Sequence, residues 1–493
     1  MKTLRGAVCS SLLILGLAGA GAAQAPADAA ALAAVAGQAL MQSQANPDLQ
    51  QLSDTIGGRV TGSPQAQAAI AWALAKMKAM GLKHVHAEPW TMDHGWTRGK
   101  AAIELTAPVR RTLHGDSMGW VGSTPAGGVE AELVEVNSCQ LPQETQAHAG
   151  AWRGKALLLR PQGPRPKNPI STFVQMAAFL KAAHQAGAVA VFAGQGAGAS
   201  AGMNLTHTGV VGFNTVFEIP VVNLTAEDQL LLERLLDLHG GAAVRLHVDV
   251  ENHVSGPTPS ANVMGDIPGR EDPQQIVVIG GHLDSWDLSS GATDDGTGAV
   301  AALAAAQAIV ASGERPRRTV RVVLFTGEEQ GLLGSLAYVQ THQNEMANHV
   351  AALILDEGQG PISALQVGGH DDVMPALEPL VHTLTAFGVP KINDDSSFDT
   401  DSGPFILAGV AGINLSQDSP AYAFTHHSVV DTFDHVLPDV LVRNAAELGV
   451  MAYYVADLPQ RLGPTWTPAQ VEAKLKAQHL EEELRAFGLW RWQ

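Results

Sequence analysis

The chain is most readable where its apolar positions run together. Beyond residue 261 the runs IVVIGG, TVRVVLFT, VAALILD and AGINLS contain almost no polar position. Strands covered on both faces have that pattern, because neither face alternates with water. Between the runs, AVAALAAAQAIVAS, LLGSLAYVQTHQ and MPALEPLVHTLTAFG have the length and composition of helices. Strand alternating with helix predicts an α/β fold: a doubly wound, mostly parallel sheet with helices on both faces. LPDVLVRNAAELGVMAYYVADL then reads as a closing helix, and Thr467 to Gln470 as the capping box of a C-terminal amphipathic helix.

Upstream the pattern changes. Ser63 and Pro64 form an N-cap and first turn, Gly81 is a helix stop, and the alternating HVHAEPW after it reads as a strand. From 121 to 255 the short runs AELVEVN, KALLLRP, AVAVFAG and IPVVNLT surround one helix, FVQMAAFLKAAHQAG. Gly is dense from 192 to 212, where a surface loop is expected. This stretch is read as a β-rich domain inserted at 121–255 between two parts of the α/β domain, 26–120 and 256–460, with 461–493 as the C-terminal helix. Residues 26 to 45, rich in Ala, Gln and Pro, are expected to be mobile or weakly helical.

At 493 residues, 46% hydrophobic and 16% charged, the chain is long enough for two or three packed domains. Lys2 and Arg5, the apolar SLLILGLAGAG and Ala23-Gln24-Ala25 have the order of a cleaved secretory signal at 1–25, which predicts export to the periplasm or beyond. Cleavage leaves Cys139 as the single cysteine, so no intramolecular disulfide can form. It also removes Lys2 and Arg5, taking the formal charge from −18 to −20. That charge speaks against nucleic acid and against anionic membrane surfaces as partners.

The strand ends carry the candidate chemistry. GGHLDSWDLSSGATDDGTGAV places His282, Asp284 and Asp294 after the first apolar run. Glu328-Glu329 follow the second run and Asp356-Glu357 the third, and the loop after the fourth holds His426-His427-Ser428 and Asp431. Each alone has an ordinary reading as a hydrogen-bonded histidine, a helix cap or a solvated turn. Together they sit at the ends of successive strands of one sheet, where functional groups collect. That many carboxylates cannot stay ionised in one crevice without cations. Imidazole mixed with carboxylate suits zinc, cobalt or manganese better than calcium or magnesium. Two histidines and three carboxylates serve two zinc ions if one carboxylate bridges. One of Glu328 and Glu329 would then bind metal while its neighbour faces the attacking water, and one of His426 and His427 would be the ligand.

GHLDSWD, GATDDGTGA, EEQGLLGS and HHSVVDT, in this order, resemble the zinc exopeptidase family of bacterial aminopeptidases and glutamate carboxypeptidases. The likeness takes in GGRVTGSP and runs from about residue 52 to 458. It implies two Zn²⁺ per chain, a protease-associated domain as the inserted region, and a homodimer. It also implies that His282 and Asp356 bind one zinc, Glu329 and His427 the other, and that Asp294 bridges them. Glu328 would be the general base. Asp284 and Asp431 would stand behind His282 and His427 and fix their tautomers. Asp287 and Asp295 are left with capping or loop roles. Gly327 stands where many relatives have Ala, and Glu357 adds a negative charge.

The implied reaction is hydrolysis of a peptide bond near a chain end. Residues 322–442 contain no Arg and one Lys, Lys391, yet carry Glu357, Asp394, Asp395, Asp399 and Asp401. A site without arginine favours a substrate ammonium over a carboxylate. Dipeptidase or aminopeptidase activity is therefore expected, with a carboxypeptidase of the glutamate carboxypeptidase type as the alternative. Arg153, Arg160, Arg165, Arg234 and Arg245 of the inserted region could serve that alternative by reaching over the site. A non-catalytic peptide-binding protein on the same fold is the remaining class. The filled ligand positions and base favour an enzyme.

Overall fold

A computed structural model describes residues 28–164, 169–194, 203–239, 243–388 and 391–492. The signal expected at 1–25 and Arg165 lie outside the described residues. Among the described residues, two eight-stranded sheets organise the chain. In the first, the four apolar runs form the central strands Arg318–Phe325, Asp272–His282, His349–Ile354 and Ala411–Gln417, all parallel. Antiparallel strands flank them: Thr258–Ile267 and Lys83–Met92 on one side, Ile362–Gln366 on the other. The sheet is thus mixed around a parallel centre. Its register pairs His282 with Phe325, Gly280 with Ile354, and Ile354 with Asn414. The central strands therefore end nearly level, and the residues after them emerge along one edge.

Both faces of this sheet are covered, as unbroken apolar strands require. One face meets the helices Pro64–Ala79, Thr297–Ser312 and Pro438–Asp457, and the other packs around Phe325, Tyr338 and Phe405. Among the described residues, Ala292–Ser312 is the one helical stretch long and apolar enough to cross a membrane, but it is mostly buried in the protein. Its alanines let the neighbouring helices approach closely: a Cβ added at Gly449 would lie 3.5 Å from the Ala305 backbone. Residues 29–42 depart from the expectation of a weak or mobile segment. They form the helix Ala29–Gln42, capped by Asp28, with Ala31, Leu32, Val35 and Ala39 buried. Alanine obscured the period, because it leaves little contrast between the two faces.

The second sheet is built on the long antiparallel pair Trp96–Ala107 and Arg245–Val254. The chain enters it just after Lys83–Met92 and leaves just before Thr258–Ile267, which pair with each other in the first sheet. The sheet thus begins upstream of residue 121, where the sequence pattern changes. Val129–Asn137, Lys155–Arg160, Ala190–Gly194 and Val221–Leu224 extend it, with separate apolar clusters on its two faces. The C-terminal helix starts at the expected capping box of Thr467 and Gln470. It packs Val471 and Leu475 against Phe398, Ile406 and Leu407 of the first unit.

Candidate active site

The level ends of the central strands deliver the acids and histidines to one crevice. His282 is the last residue of its strand, Glu328 and Glu329 follow Phe325 after a two-residue turn, and Asp356 follows Ile354 by two. Asp294 occupies the turn before the Thr297–Ser312 helix, and His427 the loop after Tyr422–Thr425. Asp294 is central: its Oδ1 lies 3.3 Å from His282 Nε2 and its Oδ2 3.2 Å from His427 Nε2. His282 Nε2 is also 3.2 Å from Asp356 Oδ1, and His427 Nε2 is 2.8 Å from Glu329 Oε2. Two ligand atoms of one tetrahedral zinc lie roughly 3.3 Å apart, given metal–ligand distances of about 2.0–2.1 Å. The set therefore divides into a His282–Asp356 half and a Glu329–His427 half, each with its own oxygen of Asp294. Asp294 Oδ2 and Glu329 Oε1 are buried without a hydrogen-bond donor, free to meet a cation. These residues fit two small divalent ions.

The adjacent pairs separate in space. His426 stacks on His427 with ring centroids 3.7 Å apart, but its Nε2 is 3.9 Å from Asp294 and its side chain is 49% exposed, against 22% for His427. Both glutamates border the cavity, but Glu329 is the more buried, beside His427, whereas Glu328 has its Oε2 3.8 Å from His282 Nε2.

The supporting residues differ from expectation in detail. His282 Nδ1 donates to the backbone carbonyl of Asp284 at 2.9 Å, while the Asp284 carboxylate stands 3.7 Å away and accepts from Thr61. Asp431, expected behind His427, instead accepts from Thr293 N and Oγ1 at 2.6 and 2.7 Å and from Asp294 N at 3.3 Å. It fixes the turn that carries Asp294. Asp295 is buried in full, accepting from His282 N at 3.1 Å and Gly298 N at 2.8 Å. Gly281 and Gly298 make room for it, since a Cβ on either would lie 2.4 Å from its carboxylate. Asp287 pairs with Arg98 at 2.7 Å.

Nothing in the pattern of GGRVTGSP marks Arg59 for a role. That side chain is fully buried and donates to the carbonyls of Leu283, Ser290 and Gly291 at 2.6, 2.8 and 2.9 Å, holding the loop between His282 and Asp294. Burial lowers its proton affinity, and Asp431, Asp284, Asp295 and Asp294 oppose that. Asp401 is a second residue of this kind. It is wholly buried, and burial pushes it up to about 8 against the opposing effect of the Ser335 hydroxyl.

The charges explain why a cation suits the crevice. Burial pushes Glu328 and Glu329 well above the usual carboxylate range, and Asp356 up to about 6. Burial works the same way on Asp294, but His282, His427 and His426 more than offset it and hold it low. A cavity of about 540 Å³ opens onto this set. Its far wall comes from the second unit through Met118, Val210, Phe173 and Phe213. Among the described residues no Arg or Lys lines it, so Arg153, Arg160, Arg234 and Arg245 do not reach the site.

Residues 262–451 match the family model "Peptidase family M28". Carboxypeptidase Q of Mus musculus is 32% identical over 412 residues, which are 83% of this chain and 85% of that protein. An aminopeptidase of Pseudomonas aeruginosa strain UCBPP-PA14 is 26% identical over 315 residues, 62% of this chain and 54% of its own. The crystal structure of a peptidase M28 precursor from Shewanella amazonensis SB2B superposes with a TM-score of 0.78 at 29% identity, covering 88% of this chain and 98% of that one. The chain belongs to peptidase family M28 and is a zinc metallopeptidase of the exopeptidase kind.

Proposed function

We propose that the protein is an exported carboxypeptidase of short peptides. The observation that carries this reading is the likeness to carboxypeptidase Q over 83% of the chain, against 62% for the aminopeptidase relative. The cavity supports the restriction to short peptides, because the second unit closes the side opposite the acids. Export rests on the sequence of residues 1–25. The region 121–255 is read as a protease-associated domain that walls the site.

Two zinc ions would be held by His282 and Asp356, by Glu329 and His427, and by Asp294 between them, and would supply an acidified water and stabilisation of developing charge. Glu328 accepts the proton of the attacking water at its cavity-facing carboxylate and returns it to the leaving nitrogen. Taking and returning one proton in this way is ordinary general acid–base help. Asp284 presents its carbonyl to His282 Nδ1 and so sets which nitrogen faces the site. Asp431 and Arg59 hold the Asp294 turn from either side.

A second reading, dipeptidase or aminopeptidase, is favoured by one observation. Among the described residues no Arg or Lys lines the cavity to receive a substrate carboxylate, while exposed Asp399 does line it. Free, N-blocked and C-amidated dipeptides separate the readings. The carboxypeptidase reading expects cleavage of the N-blocked peptide and none of the amidated one. The reverse pattern overturns it in favour of amino-end recognition.

A further inference from the structure

The second unit does more than wall the cavity. Its residues 206–214 lie against both loops that carry Glu329 and His427. On the His427 side, Thr208 N donates to the His427 carbonyl at 2.8 Å, Val429 N to the Thr206 carbonyl at 3.2 Å, and His207 Nδ1 to the His426 carbonyl at 3.0 Å. His207 and Ser428 thereby form an antiparallel bridge. On the Glu329 side, Asn214 N donates to the Gln330 carbonyl at 3.1 Å, and Phe213 covers Gly331 so closely that a Cβ there would lie 2.8 Å from the ring.

The segment is moored in turn to its own unit. Thr208 Oγ1 donates to the Ser117 carbonyl at 3.1 Å and accepts from Arg98 Nη2 at 3.0 Å, and Gly119 N donates to the Gly209 carbonyl at 2.9 Å. His427 needs such a clamp. It has φ +57°, a left-handed conformation that a residue with a Cβ keeps only when its surroundings impose it. Gly209 packs beside its ring: an added Cβ would lie 3.2 Å from His427 Nδ1. His282, by contrast, ends a strand of the first sheet and Asp356 lies two residues past the end of the next, so both take their positions from that sheet's own ladder.

We infer that residues 206–214 are a positioning device for one half of the metal centre: the Glu329–His427 half forms only while this segment is docked, whereas the His282–Asp356 half does not depend on it. This rests on the two-metal reading of the proposed function. A strand-like clamp from one unit onto the ligand loops of another gives the two cation positions unequal dependence on the second sheet, though they share Asp294.

The test is zinc binding by Thr208→Pro, which deletes the N–H that reaches His427, and by His207→Ala, which leaves the backbone intact. Metal per chain and the two affinities are measured by competition with a chromophoric chelator. Circular dichroism and melting of the metal-free proteins establish that each variant is folded. Wild type is expected to bind two zinc ions. Both variants should keep one at wild-type affinity and bind the other about 10–100-fold more weakly, the usual scale for losing a group that orients a ligand. Adding His282→Ala to His207→Ala should weaken the retained ion. A folded variant that binds both ions as wild type does, or weakens both equally, overturns the inference. If Thr208→Pro does not fold, His207→Ala decides alone. A wild type that binds fewer than two ions overturns the two-metal reading itself, a different result from a variant that matches a two-ion wild type.

Discussion

Glu328 and Glu329 are neighbours in sequence with opposite surroundings. Glu329 turns inward to His427 at 2.8 Å, whereas Glu328 stays 12% exposed on the cavity. Removing the Glu328 charge should therefore damage turnover and spare the metal set. Glu328→Gln is expected to lower kcat about 10²–10⁴-fold, the span of general acid–base help, with zinc content by elemental analysis unchanged. Loss of zinc in this variant would make Glu328 a ligand instead. At this scale the convergence of these acids and histidines was legible, because they follow successive apolar strands of one sheet. Their support was not. Arg59 holds a carbonyl 224 positions away, and nothing within GGRVTGSP signals that reach. The resemblance implies Asp431 as a partner for His427, yet its carboxylate serves Thr293 and Asp294.

Among the elements, Pro438–Asp457 spans the first sheet with an almost wholly buried second half. Glu447 lies within that helix, fully buried, with no donor on either oxygen and Arg443 Nε 3.5 Å away. Burial pushes its carboxyl up to about 8, from an ordinary value of 4.5. The folded chain thus holds this proton more tightly than the unfolded chain does. The associated stability is present in full below about pH 4.5 and is lost as pH rises toward 8. Glu447→Gln, which cannot ionise, should melt close to wild type at pH 5 and above it at pH 8. Equal melting differences at both pH values would show that Glu447 does not titrate across that window. The strands that sequence reasoning found were those with both faces dry. Trp96–Ala107 and Arg245–Val254 escaped it because charged and apolar positions mix along them, as in WTRGKAAIELTA, once one face of a strand meets water.

For the molecule as a whole, the cavity is an agreement among three parts: the strand ends of the first sheet, the loops of the second unit and the C-terminal helices. The C-terminal part meets the second unit through Phe487, whose ring lies 4.8 Å from Phe213 and 5.7 Å from Phe173. Those two rings are 5.2 Å from each other, and both line the cavity. Leu484, one turn earlier and fully buried, ties the same helix to the cluster around Phe398, another lining residue. A ring touching two others at these separations contributes about 0.5–1.5 kcal/mol per pair beyond its burial. Phe487→Ala should thus loosen the apolar wall without touching the acids and histidines opposite. The expected outcome is unchanged zinc content, a KM for short peptides raised more than kcat is lowered, and a smaller preference for dipeptides over tetrapeptides in kcat/KM. Steady-state kinetics on a peptide length series measures all of this. If kcat fell with KM constant, the C-terminal helices would be acting on the reacting groups themselves, and the wall formed with the second unit would not be what selects short substrates.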